Sequence, residues 1–168
     1  MSTANRAVMH STGVGQTRTL GRRLARLLRP GDVVLLQGPL GAGKTALAQG
    51  IGLGLKVESQ VSSPTFVLLA RHDGPTARLY HADLYRLTDV DQVADLSLDQ
   101  EARDGILLIE WPERGLEALP AEHLLIVLES VEGAPTSRRI TIVASGARYQ
   151  RILDGLCLLY TSPSPRDS

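Results

Sequence analysis

Lys44 and Thr45 close the octapeptide Gly38-Pro39-Leu40-Gly41-Ala42-Gly43-Lys44-Thr45, which meets every fixed position of the pattern G-x-x-x-x-G-K-[ST]. The chemistry such a segment can do is phosphate binding. Its glycines let the backbone turn sharply and aim successive N–H groups into one concavity, and a following helix adds positive potential. Lys44 would reach the outer phosphates of a nucleoside triphosphate, and the Thr45 hydroxyl would ligate Mg2+. Gly38, Leu40, Gly41, Ala42, Gly43, Lys44, Thr45 and Ala46 are the expected nucleotide contacts. The chain has only two lysines, Lys44 and Lys56, against sixteen arginines. One of the two stands where a compact ammonium suits the cradle better than a planar guanidinium. Further on, Ile106-Leu107-Leu108-Ile109-Glu110 is an apolar run closed by a carboxylate. Downstream of a phosphate loop, that pattern marks a central strand whose last acid reaches the Mg2+ shell. The only tryptophan, Trp111, comes next, and Pro112 stops the strand.

Other segments must position these groups. Val33-Val34-Leu35-Leu36 reads as a buried strand leading into the loop. Leu47, Ile51 and Leu55 follow at helical spacing. Upstream, Leu20, Leu24, Leu27 and Leu28 form one face of a helix ended by Pro30-Gly31. Arg18, Arg22 and Arg26 line another face, read as solvated. Ala7-Val8-Met9 suggests a short strand. Pro64 biases Ser63 towards extended geometry, so a loop should lead into a strand over 66–70. His72-Asp73-Gly74-Pro75 signals a turn, and 78–82 alternates like a returning strand, which makes a hairpin ending at Asp83. The spacing predicts a helix over 89–103, burying Val90, Val93, Ala94 and Leu98. Strands are expected over 123–128 and 139–143, joined by the turn Glu132-Gly133-Ala134-Pro135, and a last helix over 148–159. Residues 1–155 read as a single domain. The apolar run Leu156-Cys157-Leu158-Leu159-Tyr160 meets a proline-broken polar tail abruptly, so 156–168 is expected to be disordered or non-native.

Bulk properties narrow the class. A chain of 168 residues is long enough for one domain with a proper core. Basic and acidic residues balance at 18 each, so overall charge makes no case for nucleic-acid or membrane binding. The single cysteine, Cys157, excludes an intrachain disulfide framework. No apolar run approaches the ~20 residues of a membrane span, and the expected location is the cytoplasm.

The motifs also occur in a known combination. The phosphate loop at 38–45, Ser63-Pro64-Thr65-Phe66, His81-Ala82-Asp83-Leu84-Tyr85-Arg86 and Glu110-Trp111-Pro112-Glu113 resemble, in order and spacing, the TsaE (YjeE) family. These are bacterial ATPases of tRNA threonylcarbamoyladenosine biosynthesis. Thr17-x-x-Leu20-Gly21 is similar to the family's opening helix. The resemblance covers about residues 10–145. The loop is generic, whereas Asp-Leu-Tyr-Arg with Glu-Trp-Pro is specific; nothing in 157–168 has a counterpart.

The resemblance implies an α/β fold of the P-loop NTPase type. That is a three-layer sandwich with a mixed, mainly parallel central sheet, an antiparallel hairpin and helices on both faces. It implies ATP and Mg2+ as cofactors, with Thr45 and Glu110 as the metal positions and Lys44 at the phosphates. It makes 63–66 a switch-type loop with Thr65 beside the γ-phosphate, Asp83 an acid required for hydrolysis, and Trp111 a neighbour of the nucleotide. Residues 12–17 and Arg139 would lie near the base. ATP turnover would drive a complex with the threonylcarbamoyl transferase subunit and its non-catalytic paralogue. That complex modifies adenosine 37 of tRNA, and tRNA would be met only through it.

The residues themselves leave part of the mechanism open. Phosphoryl transfer needs an in-line water, neutralised γ-oxygens and a bridging metal. Asp83 or Glu110 must orient the water, and the sequence does not decide which. No arginine finger is evident; Arg86 is a candidate in cis, and a partner could supply another. A small-molecule kinase would need an acceptor lid, for which only 89–103 offers space. A nucleotide-gated binding module with incidental hydrolysis is the other alternative. A GTPase is disfavoured, because Asn5 is the only asparagine and an Asn-Lys-x-Asp reader is absent.

Overall fold

Four consecutive apolar residues, Val33 to Leu36, have no polar face to offer water, so this strand must be covered on both sides. In the computed structural model, which describes residues 5–39, 41–59, 61 and 69–161, it forms β2 (Val33–Gln37). Val34 and Leu36 enter one core and Val33 and Leu35 another, because side chains alternate along a strand. Each fully buried Leu contributes about 1.5–3 kcal/mol of transfer free energy. Two cores around one sheet are what make the molecule three-layered.

The remaining strands are β1 (Arg6–Ser11), β3 (Leu69–His72), β4 (Leu79–Asp83), β5 (Ile106–Glu110), β6 (His123–Val131) and β7 (Ala134–Ser145). The sheet order is β1-β7-β6-β2-β5-β4-β3. β6, β2, β5 and β4 run parallel; β1, β7 and β3 are antiparallel to their neighbours. The helices α1 (Val14–Ala25), α2 (Lys44–Leu55) and α5 (Ala147–Thr161) lie on one face. On the other face are α3 (Val90–Asp95), α4 (Leu98–Glu101) and two short 3-10 turns after β5. None of the helices among the described residues is long and apolar enough to cross a membrane.

α2 keeps glycines that cost helix stability, and Gly50 shows why. A Cβ there would collide with the Arg18 carbonyl of α1, so the bare backbone lets the two helices touch.

The expected fold class holds, with local differences. The single helix expected over 89–103 is two helices, α3 and α4, broken at Ser97 in a left-handed conformation (φ 48°). Val93 and Leu98 are five residues apart and cannot share one face of a straight helix; the break buries both, leaving Ala94 exposed. β3 starts at Leu69; residues 66–68 of the expected strand lie outside the described residues. β7 begins at Ala134, so the turn is shorter than the four residues expected. The last helix, expected over 148–159, begins one residue earlier and ends two residues later. α5 runs on to Thr161, because Leu156 is fully buried and Cys157 packs against the same core. Residues 162–168 lie outside the described part.

Candidate active site

β2, β5 and β4 are parallel, so their C-terminal ends share one edge of the sheet. β2 has β5 on one side and β6 on the other, and chain connections diverge from it in both directions. A crevice at such a switch point is where open α/β sheets bind ligands. The loop leaving β2 occupies that position. Gly41 (φ 80°) and Gly43 (φ 103°) both adopt the left-handed region, which an L side chain enters only at a cost. Gly43 caps α2, and Lys44, Thr45 and Ala46 form its first turn. The N-terminus of α2 therefore opens on the loop, the end of a helix that favours an anion.

Lys44 is the unusual charge. It is only 5 % exposed. Its Nζ donates to the Gly38 carbonyl at 2.6 Å and lies 3.8 Å from the centroid of the Trp111 ring. Burial pushes its pKa below the ordinary lysine value, while the negative charges of Glu110, Glu113 and Asp83 push back. A buried ammonium held by a carbonyl and a ring, facing a glycine-built cradle, fits an incoming anion.

Trp111 takes a left-handed backbone (φ 60°) as the chain turns from β5 into the Pro112–Arg114 turn. That conformation is strained for a non-glycine residue. Its N–H donates to the Leu36 carbonyl at 3.3 Å, tying the ends of β5 and β2. The indole meets Tyr85 with ring centroids 4.8 Å apart, and Arg114 lies over both rings at 5.4 and 5.7 Å.

The two acids arrive by register: Asp83 pairs with Glu110, and Leu36 also pairs with Glu110. Glu110 is 2 % exposed, and its Oε2 accepts from His81 Nε2 at 2.6 Å. Asp83 is half-buried and accepts from the Tyr85 N–H at 2.9 Å. Burial raises the Asp83 pKa above the usual carboxylate range; the Tyr85 N–H opposes this, and the neighbouring Glu110 charge adds to it. One acid is thus held inside the sheet, and the other is nearer solvent with its pKa raised by burial.

Known proteins match the part of the chain that carries these groups. The family model described as threonylcarbamoyl adenosine biosynthesis protein TsaE matches residues 11–140. A relative from Streptomyces coelicolor, "tRNA threonylcarbamoyladenosine biosynthesis protein TsaE", is 44% identical over 139 residues, covering 79% of this chain and 93% of its own. A Bacillus subtilis protein of the same description is 37% identical over 142 residues, covering 84% and 87%. The chain belongs to the TsaE family. The crystal structure of Bacillus subtilis YdiB superposes with a TM-score of 0.77 at 27% identity, covering 96% of this chain and all of that one. This TsaE-family chain therefore belongs to a family of tRNA threonylcarbamoyladenosine biosynthesis.

Within the TsaE fold, the site residues expected from the sequence fall into three groups. Gly38, Gly41, Ala42, Gly43, Lys44, Thr45, Ala46, Asp83, Glu110 and Trp111 gather at one edge of the sheet. Leu40 and Thr65, with the rest of 63–66, lie outside the described residues. Arg139 does not reach the loop: its guanidinium meets Glu129 at 3.4 Å on the exposed side of β7. Its neighbour Arg138 does, donating through Nε to the Ala42 carbonyl and through a terminal nitrogen to the Gly41 carbonyl, both at 3.0 Å. Alternation along β7 turns the two arginines to opposite sides, and the sequence offers no signal for which is which. Near the α1 start, Thr17 is buried and hydrogen-bonds Ser11 at 2.7 Å, with its methyl group close to Gly43. Arg86 is exposed beyond β4.

The donors suit Mg2+, a hard cation that prefers oxygen: one hydroxyl and two carboxylates. Among the described residues no group of three or more His, Cys, Asp or Glu could hold a metal unaided. An Mg2+ ion here would depend on phosphate oxygens and water.

Proposed function

We propose that the chain is an Mg2+-dependent ATPase, and that its ATP cycle drives turnover of the complex that installs threonylcarbamoyl on adenosine 37 of tRNA. The observation that carries this reading is the buried Lys44 ammonium beside a left-handed glycine loop, with Asp83 and Glu110 on adjoining strand ends. The loop amides and Lys44 would bind the β- and γ-phosphates. Thr45 and Glu110 would hold Mg2+, which would supply positive charge to neutralise the phosphates. Asp83, half-buried with a raised pKa, would orient the attacking water and take its proton. Arg138 keeps the loop carbonyls turned outward, so the amides stay turned towards the phosphates. The partners in this reading are the transferase subunit and its non-catalytic paralogue, one of which would supply positive charge to the γ-phosphate. Hydrolysis by the isolated chain would then be slow.

The test is ATP binding and phosphate release with and without Mg2+, alone and with the two partner subunits. Mg2+-dependent hydrolysis that rises on adding the partners supports the reading. A specific metabolite that accelerates ADP formation and becomes phosphorylated would replace it with a kinase.

A further inference from the structure

We propose that His81 is a positioning residue: it fixes the direction in which Glu110 presents its carboxylate. This rests on the ATPase reading above. His81 stands on β4, two residues before Asp83, and Glu110 ends β5. His81 is completely buried, and its Nε2 lies 2.6 Å from Glu110 Oε2. An ionised Glu110 can only accept, which in the proposed contact puts a proton on Nε2. The other ring nitrogen, Nδ1, is buried with no hydrogen-bond partner among the described residues.

That orphaned nitrogen carries the argument. For packing alone, an imidazole is a poor choice here, because burying an unmatched polar atom is unfavourable and a leucine would fill the space without it. Among the described residues, the one hydrogen bond its side chain makes is to Glu110. The terminal torsion of a glutamate is broad and roughly two-fold, so burial alone does not decide where its oxygens point. Anchoring Oε2 stops that rotation and gives Oε1 a single direction. The backbone secures the same corner, since the Glu110 carbonyl accepts from the Leu84 N–H at 3.1 Å. Partners of this kind behind metal-site carboxylates set ligand orientation.

Two polar substitutions separate positioning from packing. In His81→Gln the side-chain amide nitrogen falls near the original Nε2; in His81→Asn it falls near Nδ1, away from Glu110. The readout is the ratio of ATP dissociation constants measured by calorimetry in EDTA and in Mg2+. His81→Asn is expected to lower that ratio about tenfold or more, and His81→Gln to stay within about threefold of the wild type. The value in EDTA should not change in either. In a Glu110→Gln background, where the buried charge is removed, His81→Asn should cause no further loss. Gln and Asn variants that behave alike would overturn the assignment. So would nitrogen NMR of the wild-type protein placing the His81 proton on Nδ1 alone, a measurement that needs no variant to fold. A wild-type protein whose ATP affinity ignores Mg2+ would instead remove the ATPase reading itself.

Discussion

Lys44→Met isolates the charge of Lys44 while keeping most of its volume. In the nucleotide-free protein the substitution removes two attractions. One is the charge-assisted hydrogen bond to the Gly38 carbonyl, a type worth about 1.5–3 kcal/mol. The other is the contact with the Trp111 face, worth about 0.5–2 kcal/mol. Against them stands the desolvation of a buried ammonium, which costs several kcal/mol and is the main cause of the lowered Lys44 pKa. These terms oppose one another and are similar in size. Stability without nucleotide should therefore change by no more than about 1 kcal/mol, or roughly 2–4 °C in Tm for a chain of this length. The balance depends on pH in a definite direction. Lys44 has a lower pKa folded than unfolded, so between the two values the unfolded chain binds more protons and stability rises with pH. Wild type should gain on Lys44→Met as pH climbs towards 10.5, the ordinary lysine value. With Mg2+ and ATP the variant loses a charged phosphate contact of about 1.5–3 kcal/mol, roughly 10- to 150-fold in Kd. Calorimetric titration and thermal unfolding across pH measure both effects. A variant that loses several kcal/mol of stability yet binds ATP normally would make Lys44 structural and refute the reasoning.

Four further outcomes are expected. Glu110→Gln should weaken the Mg2+ dependence of ATP binding, whereas Asp83→Asn should lower turnover with binding nearly unchanged; titration and phosphate release distinguish them, and reversed phenotypes would exchange the roles. Because burial raises the Asp83 pKa, its ionisation weakens the fold as pH rises through that pKa, so Asp83→Asn should gain on wild type in Tm from acid to neutral pH. Trp111 should report nucleotide directly, since its ring holds Lys44: Mg2+·ATP should shift its emission saturably, Lys44→Met should abolish the shift, and a flat trace beside confirmed binding would place the indole outside the site. Arg138→Lys cannot hold the Gly41 and Ala42 carbonyls with a planar fork; it should weaken ATP and ADP alike, about tenfold if two charge-assisted bonds are partly lost, while Arg139→Lys changes neither affinity.

The phosphate loop was legible in the sequence because its constraints are local. Eight residues carry the glycine conformations, the helix start and the lysine, and the apolar runs at Val33 and Ile106 announce the strands beside them. The same holds for the acid at the end of β5, where the change from Ile109 to Glu110 and the stop at Pro112 are both chain-local. The helix expected over 89–103 is where chain-local pattern and structure part. Leu98 is expected in the core, but burying it together with Val93 requires the break at Ser97, which the spacing does not display.

What only the tertiary structure decided is how distant segments meet. Nothing in the order of residues states that β2 lies between β5 and β6, or that Asp83 comes level with Glu110. Strand order and register depend on which apolar faces can be buried together, and a shift of one residue would have turned Asp83 and His81 to the other face. The contact of His81 with Glu110 spans 29 residues of chain, and that of Arg138 with Gly41 spans 97. Both depend on side-chain parity within paired strands. The sequence named the groups that could do chemistry, and packing set Arg138 on the loop carbonyls and paired a buried histidine with the acid.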